Sequence, residues 1–308
     1  MKTIWVLDNS LKLDPYSLHE LEILCLIASV SNWKSLYPEN ERFLYCDTSV
    51  HQYLESIGIL DLWDRIDTEK LSVPDNLNRR PFWAASKIKV LKDIQAPFII
   101  MDCDLYFKNN SLDLKELEKY DLVTSHLEET SGIYPGRLDP YSKYGLDDSG
   151  LNFIWNTTHA FNVCFFYIGN EKLRNDYFNL SFRAMEKLST KFGDDPHLNG
   201  NQMIFWEQKI LKEFSDLYES KTSLLSKYFI KRREWERELP NGYETLNMDD
   251  SYFHLDTIKR FARIDQNLFL DNKSKILNSI LENSGADFCK RIFESIKISN
   301  QIFNSNPW

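Results

Sequence analysis

The chain has 308 residues, 43% of them hydrophobic, enough for one large α/β domain or a domain with an elaborated tail. A formal charge of −9 argues against nucleic acid as the main partner, although a bound cation would still admit an anionic nucleotide. Five scattered cysteines without a CxxC spacing read as buried free thiols and argue against zinc–thiolate chemistry.

In chain order, Thr3–Leu7 reads as a first strand ending at Asp8. Its apolar run is too short for a secretory signal, and Ile23–Ala28 is too short to span a bilayer. The expectation is therefore a soluble, cytoplasmic protein with no transmembrane segment, peripheral membrane contact being left open. A helix is predicted over Ser17–Ser31, with Ser17 and Glu20 as a capping box. Arg42–Cys46 forms a second strand ending at Asp47, and Val50–Ile57 a short helix closed by Gly58. A short strand at Arg65–Asp67 precedes a helix over Phe82–Ile94. Strands follow at Leu122–Ser125 and Ala160–Ile168, separated by a Gly-, Pro- and Tyr-rich loop over Glu128–Gly150. Helices are expected over Glu171–Ser189 and Gly200–Phe214, then a strand at Tyr252–His254 and helices near Lys273–Asn283 and Asp287–Ile298. The basic run Lys231-Arg232-Arg233, with Trp235 and Arg237, reads either as a solvated helix face or as a contact for phosphate or an anionic membrane. Alternation of strand and helix argues for an α/β, three-layer, mostly parallel sheet.

The most informative segment is Pro97–Phe107. A buried apolar strand runs into Asp102 and Asp104, spaced i, i+2, so on extended backbone both carboxylates point the same way. Two converging carboxylates at the end of a buried strand call for neutralisation, and a divalent cation bound by oxygen ligands is the usual solution. Strand ends of α/β sheets are also where phosphorylated ligands bind.

The order of features resembles a GT-A fold, DxD-containing nucleotide-sugar glycosyltransferase of the bacterial glycan-synthesis, family 8-like type. Asp102-Cys103-Asp104 looks like the DxD motif, with Ala84–Ile88 as the basic helix before it. Phe161–Phe165 looks like the FNxG strand, Asn201-Gln202 with Glu207-Gln208 like the DQ or EQ element, and His254 like the late histidine. The likeness covers roughly residues 1–260. Cys164 replaces the usual glycine, Asn201 stands where aspartate is common, and Thr257 and Arg260 stand where glycine and lysine often follow the histidine.

The resemblance implies a GT-A-like (Rossmann-like) domain over 1–265 and a C-terminal helical extension over 266–308 packed on it. It implies sugar transfer from a nucleotide-diphosphate donor, UDP first, to a glycan or other acceptor hydroxyl. Asp102, Asp104 and His254 would hold Mn²⁺ or Mg²⁺, the nitrogen ligand favouring Mn²⁺. Lys87 and Arg260 would face the donor phosphates, and Glu207 and Gln202 the reacting sugar. Asn162 and Asp195 would border the acceptor. Asp8 and Asp47 end strands where base and ribose contacts fall, but each reads equally well as a helix cap. Asn162 reads as a structural hydrogen-bonding group as readily as an acceptor contact, and Glu207 as a carboxylate in apolar surroundings. Two alternatives remain: a haloacid-dehalogenase-type phosphatase with Asp102 as nucleophile and Asp104 as acid/base, and a non-catalytic carbohydrate-binding protein.

Overall fold

A computed structural model describes residues 1–9, 16, 18, 20–129, 158–192, 201–231, 234–239, 243–248, 252–254, 266–292 and 294. The elements run β1 (Lys2–Leu7), α1 (Glu20–Leu36), β2 (Glu41–Cys46), α2 (Thr48–Ser56), β3 (Arg65–Asp67), α3 (Ala85–Lys92), β4 (Phe98–Met101) and β5 (Leu105–Phe107). They continue with α4 (Leu114–Leu117), β6 (Leu122–Glu129), β7 (His159–Ile168) and α5 (Glu171–Phe192). Next, α6 joins Asn201–Ile204 to Ile210–Leu217 through a π-helical turn at Phe205–Lys209. The remainder is β8 (Thr222–Leu224), β9 (Tyr228–Lys231), β10 (Glu234–Glu238), β11 (Glu244–Thr245), β12 (Tyr252–His254) and α7 (Gln266–Ser284).

Two compact units share the chain: residues 1–70, 101–111 and 250–308 form one, and 71–100 with 112–249 the other. In the first, β1, β2 and β3 pair in parallel, Ile4 against Phe43 and Leu44 against Ile66. Helix α1 is buried over most of its length and packs on α7 and β5. Its Asn32 carboxamide accepts from Phe107 N at 3.0 Å, which pins β5 to the helix. Asn40 gathers Thr3 Oγ1 at 2.6 Å and Trp33 Nε1 at 3.0 Å on its carbonyl, tying β1 to the end of α1. The helix end foreseen at Gly58 uses the left-handed backbone that glycine adopts freely, at φ 71° after α2, and Gly285 does the same after α7 at φ 82°.

In the second unit the strand order is β10-β9-β6-β7-β4, with β8 also on β6 and β11 on β8. β6 is antiparallel to β7 and parallel to β8 and β9. Parallel pairings outnumber antiparallel ones among those described, so the fold class is α/β with mostly parallel strands. Arg174 of α5 is buried and donates to the Leu91 and Lys92 carbonyls, satisfying two C-terminal acceptors of α3. The described residues of the basic segment are in strands. Lys231 ends β9 and Trp235 and Arg237 lie in β10, an antiparallel hairpin whose Trp235 pairs with Ile230. Alternation of apolar and charged residues over so few positions is ambiguous between helix and strand, which explains the miss.

All five cysteines are free thiols, with Cys103 alone half-exposed. No helix among the described residues is long and apolar enough to cross a membrane.

Candidate active site

The two central carboxylates do not sit on extended backbone. β4 ends at Met101, and Asp102–Leu105 forms a tight turn closed by Leu105 N–H donating to Asp102 O at 3.2 Å. Aspartate favours such turns because its short carboxylate bonds nearby backbone groups. The turn is held from α1, where the Ser29 hydroxyl lies 3.5 Å from Asp102 O. Asp102 is half-exposed, whereas Asp104 is buried at 7% exposure.

Directly after the turn, β5 pairs antiparallel with β12. Leu105 opposes His254, Tyr106 opposes Phe253 and Phe107 opposes Tyr252. The Phe107 ring sits between Trp33 and Tyr252, with centroids at 5.4 and 6.1 Å, so an aromatic column fixes that register. The backbone of His254 thus lies opposite the residue following Asp104; its side chain is outside the described part. Among the described residues no three His, Cys, Asp or Glu side chains gather as a metal site. Arg260 and Asp195 also lie outside the described residues.

Asp8 ends β1 half-exposed. Asp47 is the N-cap of α2. Its Oδ1 accepts from Ser49 N at 2.8 Å and Val50 N at 3.0 Å, and Oδ2 from Asn9 N at 2.6 Å. Of its two readings, the structure displays the cap. Tyr16 was not singled out from the sequence. It is buried edge-on against Tyr53 at 5.6 Å. Its phenol is held well above the ordinary value, by burial first and then by the charges of Cys103, Tyr53, Glu22 and Asp8. That coupling marks it as a neighbour of both the β1 end and the Asp102 turn. A lone tyrosine in a Pro-Tyr-Ser stretch carries no sequence signal of this kind.

In the second unit, Lys87 of α3 and Glu207 of α6 form an ion pair at 2.8 Å, with 13% and 2% of their side chains exposed. Phe205, Trp206 and Glu207 are all buried, and an ammonium group faces the carboxylate. Glu207 lies within the π turn, a widening that frees carbonyl oxygens from their usual partners and recurs at functional sites. Two hydroxyls from α5 take up those carbonyls, Tyr177 on Glu207 O at 2.6 Å and Ser181 on Trp206 O at 2.8 Å. Gln202 lies half-buried near the start of α6.

Asn162 stands at an irregularity of the β6–β7 ladder, where the register passes from Thr124↔Phe166 to His126↔Asn162. Its Oδ1 accepts from Ser125 Oγ at 2.8 Å and Cys164 N at 3.0 Å, and its Nδ2 donates to Glu128 Oε1 at 2.7 Å. Glu128 also faces His126 at 3.3 Å. The carboxamide thus replaces ladder bonds that the irregularity removes.

No protein-family model and no curated protein matches the sequence. Solved structures give loose superpositions. The galactosyltransferase LgtC, in complex with donor and acceptor sugar analogs, aligns at 11% identity and TM-score 0.36 over 67% of this chain and 70% of its own. Mouse xyloside xylosyltransferase 1 aligns at 13% and 0.33 over 68% and 82%. PaToxG glycosyltransferase aligns at 10% and 0.33 over 97% and 83%. At these values the overlap transfers no residue roles.

Proposed function

We propose that the chain is a metal-dependent glycosyltransferase that moves a sugar from a nucleotide-diphosphate donor, UDP first, to an acceptor hydroxyl. The observation that carries this reading is the pairing of β12 with β5. It brings His254 at backbone level beside a turn bearing Asp102 and Asp104, across about 150 residues of chain. Two carboxylates on one turn, one of them nearly buried, suit a hard divalent cation, and an imidazole beside them would suit Mn²⁺. Asp102, Asp104 and His254 would hold the ion. When bound, it would stabilise the charge that develops on the leaving diphosphate.

The chain's own residues do the rest. Ser29 meets the Asp102 carbonyl and Asn32 the Phe107 N–H, so α1 holds the backbone on both sides of Asp104. Asp8, close in charge to Tyr16, is the proposed ribose or base contact of the same unit. Asp47, committed to capping α2 and to Asn9, is left out of the donor set. Lys87 stays the proposed cation for phosphate, with Glu207 as its resting counter-ion, and Gln202 the proposed sugar contact.

A thermal-shift series with UDP, GDP, CDP and TDP, each with and without Mn²⁺, tests this. One nucleotide should raise the melting temperature only with Mn²⁺, and Asp104→Ala should abolish the shift while the protein remains folded. Donor hydrolysis should follow the same pattern. No Mn²⁺-dependent shift with any nucleotide overturns the reading.

A further inference from the structure

A cavity of about 460 Å³ opens in the second unit, within the range of about 300–1,000 Å³ usual for small-molecule sites. The end of α6, β8 and the residues leading into β11 wall it. None of its lining residues belongs to the Asp102 turn or the Lys87–Glu207 pair.

Its chemistry is mixed at short range. Tyr243, half-buried, supplies aromatic surface, and the lining residue Phe161 is fully buried. The hydroxyls of Ser215 and Thr222 meet at 2.8 Å, and the Ser220 hydroxyl, also lining the cavity, has no hydrogen-bond partner among the described residues. Carboxylates outnumber ammonium groups here, three to two. Asp216, Glu219 and Glu244 line the cavity with Lys221, while Lys212 pairs with Asp216 and lies 5.5 Å from the Tyr243 ring centroid. The Lys221 ammonium lies 4.9 Å over the Tyr120 ring. Lys212 thus orients Asp216, and the carboxylates exceed the ammonium groups by one.

The carboxylate excess opposes an anion, and the two ammonium groups oppose a cation. A ligand that both donates and accepts at several hydroxyls, and that presents C–H faces to aromatic rings, gains from every wall. We propose that this cavity binds a neutral saccharide unit. Asp216 and Glu244 accept from its hydroxyls, Lys221 and the serine and threonine hydroxyls complete the bonding, and Tyr243 packs on a sugar face.

Saturation-transfer NMR on the full chain with glucose, galactose, N-acetylglucosamine, xylose and lactose, followed by calorimetric titration of any responder, tests the proposal. At least one sugar should bind without added metal or nucleotide. Tyr243→Ala and Glu244→Gln should each weaken it about tenfold, the loss of one good contact. Tyr243→Phe, which keeps the ring beside Lys212, controls for folding and should retain binding. Asp104→Ala should leave binding unchanged. Failure of every sugar to bind overturns the proposal, as does indifference to both Tyr243→Ala and Glu244→Gln. Binding lost only in Asp104→Ala also overturns it, by assigning the sugar to the carboxylate turn, and leaves the proposed transferase reading standing.

Discussion

Removing one member of the Lys87–Glu207 pair should be costly, and removing both should not. At 2.8 Å the gross attraction is about 6 kcal/mol at an effective dielectric constant of about 20. Desolvation of two groups at 13% and 2% exposure offsets much of it. A single substitution leaves the other charge buried and uncompensated, which costs about 3–5 kcal/mol. Lys87→Met and Glu207→Gln are each expected to lose about 3 kcal/mol, a fall in urea midpoint of about 1 M. The double variant should be no less stable than either single one, giving a coupling energy of about 3 kcal/mol in a double-mutant cycle. Urea unfolding followed by circular dichroism supplies the four free energies. Hydrogen exchange of α3 and α6 amides reports whether the loss is local. If the two losses simply add, the pair does not join α3 to α6 energetically, and the resting role given to Glu207 is wrong.

Two further outcomes follow from neighbouring features. Asn162→Ala removes three hydrogen bonds at the β6–β7 irregularity and should cost about 3 kcal/mol in thermal or urea unfolding; an unchanged stability with lost turnover would instead favour acceptor contact. His159 is held below its ordinary 6.5 by burial first, with Lys212 next and Glu129 opposing. The unfolded chain therefore takes up a proton that the folded chain refuses. Stability from this group is complete above about pH 6.5 and falls as pH drops through that value toward the folded one. His159→Gln should flatten that part of a melting-temperature profile, and an unaltered slope would contradict the assignment.

Several elements were legible because their signals are local. Gly58 marks a helix end through a backbone conformation that other residues resist. The run Phe98–Met101 reads as a buried strand because four apolar residues follow a proline and precede carboxylates. Asp47 showed its capping position through its place before Thr48 and Ser49, though its alternative as a ligand contact read equally well. The hairpin of β9 and β10 was not legible, since short mixed segments take their conformation from the sheet edge they join.

The sequence by itself determined the strand–helix alternation and the candidates Asp102 and Asp104, because residue type and short-range spacing carry that information; His254 entered only through the resemblance to a family. Only the tertiary structure decided that Asp102–Leu105 is a turn, that Glu207 is faced by Lys87 across some 120 residues, and that Asn162 spends its carboxamide on Ser125, Cys164 and Glu128. Those outcomes depend on which distant groups packing brings within hydrogen-bond reach. A buried charge or amide takes whichever partner the fold delivers, and nothing in its own neighbourhood along the chain names that partner.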